Sequence, residues 1–106
     1  VYEGTPKQRD TSYHQGITWP WLLGLYYDSL KNMIKLTEDE QEKQELETKL
    51  QKFIKKTDKT FKKELYEEGC IGSIAEIYDS KKPQLPKGAI AQAWSVAEVF
   101  RIILGK

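Results

Sequence analysis

The stretch from Ala89 to Leu104 constrains this chain more than any other, because only Gln92, Ser95, Glu98 and Arg101 within it are polar. Opening at Gly88 or Ala89, it predicts a helix that is apolar nearly all round, and such a helix needs protein on nearly every side. The remaining sequence offers too little cover. It predicts two further helices, and one of them turns most of its surface to water. Missing neighbours are therefore expected, either the rest of a parent domain or a partner chain. The opening residues agree: the chain starts at Val1 rather than Met, and Val1 to Asp10 show no start-of-domain signal.

The first of the other helices is predicted from about Trp19 to Ile34. Pro20 suits a first helical turn and Thr18 could cap it. Leu22, Leu23, Leu25, Tyr26, Leu30, Met33 and Ile34 surround most of its circumference, so it is expected to be largely buried, with Gly24 marking a close approach by a neighbour. The second helix begins at a capping-box pair, Thr37 and Glu40. Leu46, Leu50, Phe53, Ile54, Thr57, Phe61 and Leu65 then recur at spacings of three and four. Every other face is Lys, Glu, Gln or Asp, which predicts an outer helix with one stripe on a core; Gly69 suits the left-handed residue that ends it. Between the second and third helices, Cys70 to Lys87 reads as a long loop with a short extended piece at Ile74 to Tyr78. Pro83, Pro86 and Gly88 exclude helix from its second half, and ordered loops of this length are usually functional.

Composition closes several routes. With 17 Lys and Arg against 16 Asp and Glu, the net charge of +1 creates no field for nucleic acid or anionic lipid. No apolar run approaches the roughly 20 residues of a membrane span. One Cys and one His exclude an internal disulfide and a structural zinc site. The same pair, Cys70 and His14, makes a poor nucleophile and base, and no phosphate-binding glycine loop is present.

Three places could carry chemistry. Glu76 lies in Ile74-Ala75-Glu76-Ile77-Tyr78, a carboxylate between apolar neighbours on a loop, which is the setting a general acid or base requires. The plainer alternative puts it on the wet face of a short strand. Tyr13-His14-Gln15-Gly16 runs directly into Trp19, Pro20 and Trp21. Aromatic faces stack on the apolar face of a pyranose while His and Gln bond its hydroxyls, so this is either a sugar-binding surface or a helix entrance with core tryptophans. Gln92, Trp94 and Ser95 open the apolar third helix, where a Gln needs a partner from a neighbouring backbone group or a ligand.

Two of these segments carry a family resemblance. Tyr13-His14-Gln15-Gly16-Ile17-Thr18-Trp19-Pro20-Trp21 resembles the YHxGxxWPW-type segment of the amylo-α-1,6-glucosidase domain of glycogen debranching enzymes. Ser73-Ile74-Ala75-Glu76-Ile77-Tyr78-Asp79, followed by Pro86-Lys87-Gly88-Ala89-Ile90-Ala91-Gln92-Ala93-Trp94-Ser95-Val96-Ala97-Glu98, is similar to that family's closing carboxylate and GxxAQAWSxAE motif. The resemblance covers the two ends of the chain and none of the charged second helix. It implies an all-α fold in which residues 1–106 are the C-terminal fragment, the last helices, of an (α/α)6 barrel related to glucoamylases. It implies an inverting glycoside hydrolase acting at α-1,6 branch points of glycogen or limit dextrin, with no cofactor and no metal, located in the cytoplasm.

In that reading Glu76 is the general base that activates a water. Its partner acid lies upstream, about 6.5–9.5 Å away across the scissile bond in an inverting pair. His14, Gln15, Trp19 and Trp94 would line or support the glucose pocket, and Gln92 would orient Glu76 or its water. The expected partners are the glucan and the remainder of the barrel, with self-association of the severed piece as the substitute. The isolated piece is expected to be inactive. Two alternatives stand beside this: another (α/α)6 glycosidase of glucoamylase or trehalase type, and a non-catalytic helical interaction module docking through its third helix.

Overall fold

A charged, narrowly striped sequence becomes the dominant element of the computed structural model, which describes all residues from Val1 to Lys106. In chain order the elements are α1 (Pro6–Tyr13), β1 (Ile17–Thr18), α2 (Leu22–Leu36), α3 (Glu40–Glu67), β2 (Ile77–Asp79), β3 (Pro86–Lys87) and α4 (Ala93–Ile103). The fold is mostly helical, as expected of a piece of a helical barrel domain. The small antiparallel sheet, in the order β1-β2-β3, is an addition to the all-α expectation. Ile17 pairs with Asp79, and Tyr78 with both Thr18 and Pro86. No helix is long and apolar enough to cross a membrane.

Helices α2, α3 and α4 pack on one another, and the core gathers where they meet the loop before β2. Phe61 and Leu65 from α3, Val99 from α4 and Ile74 form its centre, with Leu23, Tyr78, Val96 and Ile103 against it. The N-terminal half of α3 runs past this core. The radius of gyration, 15.7 Å, accordingly exceeds the ~13 Å of a compact chain this long.

Several helix ends differ from the sequence expectation, each for a local reason. The capping role expected of Thr37 belongs to Asp39, whose side chain accepts from the Glu42 N–H at 2.8 Å. Thr37 closes α2 instead, its hydroxyl donating to the Met33 carbonyl at 2.7 Å. Thr18 does not cap α2, because β pairing holds it to Tyr78; the helix starts at Leu22 with no side-chain cap. Helix α4 starts at Ala93 rather than Ala89, since the preceding backbone is bonded to the loop: Glu76 N–H donates to Ala89 O at 2.8 Å and Gln92 N–H to Ile74 O at 2.9 Å. Gly69, just beyond α3, has φ +59°, the left-handed conformation expected there.

Helix α1 is a finding that the sequence reading missed. Thr5 and Gln8 form a reciprocal capping box and Pro6 occupies the first turn, a signal present in residues read as featureless. The expectation that the first long helix is largely buried is also corrected. Only Gly24, Tyr27 and Leu30 of α2 are buried, while Leu22, Leu25, Met33 and Leu36 face outward.

Candidate active site

The site is assembled by the extended segment that leads into β2. Ile74, Ala75 and Ile77 are fully buried, and they fix the backbone so that Glu76, between them, is half-buried at the edge of a cleft. Both carboxylate oxygens have partners. Oε1 accepts a hydrogen bond from the Tyr13 hydroxyl, and Oε2 accepts from the Ala89 N–H at 3.2 Å. Gly88 makes room for this arrangement. It has φ +68°, and a Cβ there would lie 2.5 Å from Oε2 and 3.0 Å from Cγ1 of Ile77, so only glycine fits the turn that carries Ala89 to the carboxylate.

The cleft has a volume of about 790 Å³. Tyr2, Arg9 and Tyr13 form one wall with Glu3 and Asp10, while Glu76, Lys87 and Ile90 belong to the other. The bond from Tyr13 to the carboxylate holds its phenol up at about 12; burial and the nearby carboxylate charge push the same way.

Tyr13 joins Glu76 to the aromatic residues read from the sequence. Its ring meets Trp19 edge-on at 4.7 Å and His14 edge-on at 5.0 Å. His14 stacks parallel to Trp19 at 5.9 Å. Trp19 meets Trp94 edge-on at 6.3 Å, and Trp94 stacks on Trp21 at 5.3 Å. An unbroken aromatic chain thus connects Glu76 to the first turn of α4. Its outer end is open to solvent, Trp94 being 47% exposed, a surface of the kind on which sugar rings stack.

The remaining candidates sit differently. His14 ends α1 rather than opening α2. Gln15 is exposed, with its N–H donating to the Ser12 carbonyl at 2.9 Å, and it makes no contact with the aromatic chain among those above. Gln92 is not inside a helix needing a polar partner. It is the extended residue before α4, bonded through its backbone to Ile74 and Val96. It does not bond Glu76, whose oxygens are held by Tyr13 and Ala89. None of His14, Gln15, Trp19, Gln92 or Trp94 lines the cleft over Glu76 itself.

The residues that the sequence reading left without a role are Tyr13, Gly88 and Ala89. Tyr13 was visible as the first aromatic of its cluster. Its partner lies 63 positions away, a separation that no local pattern reports. No group of three or more His, Cys, Asp or Glu comes together in a way that could hold a metal ion.

No curated protein and no solved structure matches the chain. The family model for amylo-alpha-1,6-glucosidase matches residues 1–101, a span that takes in both the Tyr13–Trp21 segment and the Glu76 loop with the start of α4. The chain belongs to the amylo-α-1,6-glucosidase family, a glycosidase domain of glycogen debranching.

Proposed function

We propose that the chain forms the closing part of an (α/α)6 barrel that hydrolyses α-1,6-glucosidic branch points of glycogen or limit dextrin with inversion, and that Glu76 is its general base. The observation that carries this is the Glu76 carboxylate: half-buried at a cleft, held at both oxygens, and joined through one tyrosine to a partly exposed aromatic surface. A base needs such a carboxylate to accept a proton as water attacks the anomeric carbon. The water's oxygen bonds to that carbon on the face opposite the leaving group. Its proton goes to Glu76, and the departing glucan oxygen takes a proton from a separate acid.

Glu3 and Asp10 share the cleft but stand exposed at its rim. The acid is supplied by a part of the parent enzyme outside these 106 residues. His14, Trp19 and Trp94 support the glucose-binding wall, and the protein works in the cytoplasm. Proton NMR of the first glucose released from a branched dextrin by the intact enzyme tests the reaction class. Inversion predicts the β anomer; an α anomer would show a double displacement and remove the base role.

A further inference from the structure

Nothing about a glutamate on a loop secures the direction of its carboxylate, since its three side-chain torsions leave many orientations open. Here two donors, one 63 positions before it and one 13 after, remove that freedom. We infer that Tyr13 is the positioning residue of the base, its phenol fixing Oε1 of Glu76 while the Ala89 N–H fixes Oε2, so that the remaining lone pairs are aimed into the cleft. The inference rests on the reading of Glu76 as base and goes beyond it by assigning what aims that base.

Three observations support the role. First, the Tyr13 ring is itself immobilised by rings on several sides: Trp19 at 4.7 Å, His14 at 5.0 Å and Tyr2 at 5.8 Å. A donor already fixed before substrate arrives costs no ordering at the moment of reaction. Second, the phenol is held up at about 12, so it carries its proton, and remains a donor, throughout the neutral range. Third, Tyr13 is not a core residue. Helix α1 buries none of its side chains. Its approach to the sheet is secured separately, where the Tyr2 N–H donates to Asp79 Oδ1 at 2.8 Å. The ring packs within its aromatic cluster, while the hydroxyl's one bond goes to the carboxylate.

The discriminating variant is Tyr13→Phe, which keeps the ring and removes only the hydroxyl. In the intact enzyme acting on a branched dextrin, kcat is expected to fall about 10–100-fold, the order that misaiming a reactive group costs. KM should stay within about twofold, because sugar contacts are retained, and the melting temperature should be unchanged. An unaltered kcat, or a raised KM at unaltered kcat, would overturn the assignment, the second showing a wall residue for sugar and not an aiming one. A readout independent of turnover uses the 106-residue chain with its tyrosines labelled at Cζ. Tyr13 should titrate near 12 in the unaltered chain and distinctly lower in Glu76→Ala, where burial and Tyr2 alone still raise it; a titration indifferent to Glu76 would also overturn the assignment. Failure of the base reading looks different: turnover would survive in Glu76→Gln whatever Tyr13 does.

Discussion

Among the carboxylates that this chain withdraws from water, Glu76 and Glu64 are assigned opposite characters by their surroundings. Glu76 has a donor on each oxygen and opens onto a cleft. Glu64, on α3, is 5% exposed, and its Oε1 has no hydrogen-bond partner. Burial raises the Glu64 carboxyl above its ordinary range, with the Tyr78 hydroxyl pulling the other way. A raised folded-state value means that the folded protein binds this proton more tightly than the unfolded chain does. The associated stability is complete below the unfolded value of about 4.3 and is lost as pH rises through the folded one. Glu64→Gln, which removes the charge that burial penalises, should therefore be more favourable relative to the parent at pH 7 than at pH 4. Thermal melts of the two proteins at both pH values check this. A variant less stable at pH 7 than at pH 4, relative to the parent, would contradict it. The charge-rich face of α3 hid this residue in the sequence, although its place between Phe61 and Leu65 puts it beside the apolar stripe.

At the scale of elements, what was legible followed from patterns that act over a few turns. Helix α3 was readable because its stripe repeats from Leu46 to Leu65 and its remaining positions are strongly helix-forming and charged. The ends were not, because the choice between Thr37 and Asp39 as cap depends on which backbone group each side chain finds. The start of α4 was misread for a longer-range reason: the backbone from Ala89 to Gln92 is committed to the Glu76 loop rather than to a helical turn. For the site, Glu76 was legible as a carboxylate out of keeping with its neighbours; the donors that hold it were not, since the Tyr13 contact closes over 63 positions and the Ala89 contact over 13.

The expectation that Gly24 marks a close approach has a specific partner in the structure. Arg101 of α4 pairs with both oxygens of Asp28 at 2.7 and 2.9 Å and with Glu98 at 2.6 Å, directly over Gly24. A methyl group at Gly24 would fall inside the Glu98 carboxylate. Gly24→Ala must thus drive Glu98 off Arg101, and should destabilise by at most about 1 kcal/mol, because the displaced atoms are the ends of side chains and alanine is the better helix former. Urea titration measures it. An unchanged midpoint would show that Glu98 moves aside freely.

For the whole molecule, the informative feature is what the chain leaves uncovered. The α2 face of Leu22, Leu25, Met33 and Leu36 is exposed, and so is the α4 face with Trp94, Phe100 and, just outside the helix at its two ends, Ile90 and Leu104, although α4 read as a helix needing cover on nearly every side. On the proposed reading, neighbouring helices of the barrel cover both faces and contribute the missing acid. The 106-residue chain alone should then release no glucose from branched dextrin, and it should self-associate as concentration rises, as exposed apolar surface favours. Analytical ultracentrifugation and a glucose assay check the two halves. A strictly monomeric chain, or one with measurable hydrolysis, would contradict the reading. The direct trial of the central claim is turnover of branched dextrin by the intact enzyme carrying Glu76→Gln. Loss of a general base predicts a fall in kcat of about 10²–10⁴-fold with the melting temperature unchanged; a folded variant that keeps its kcat would contradict it.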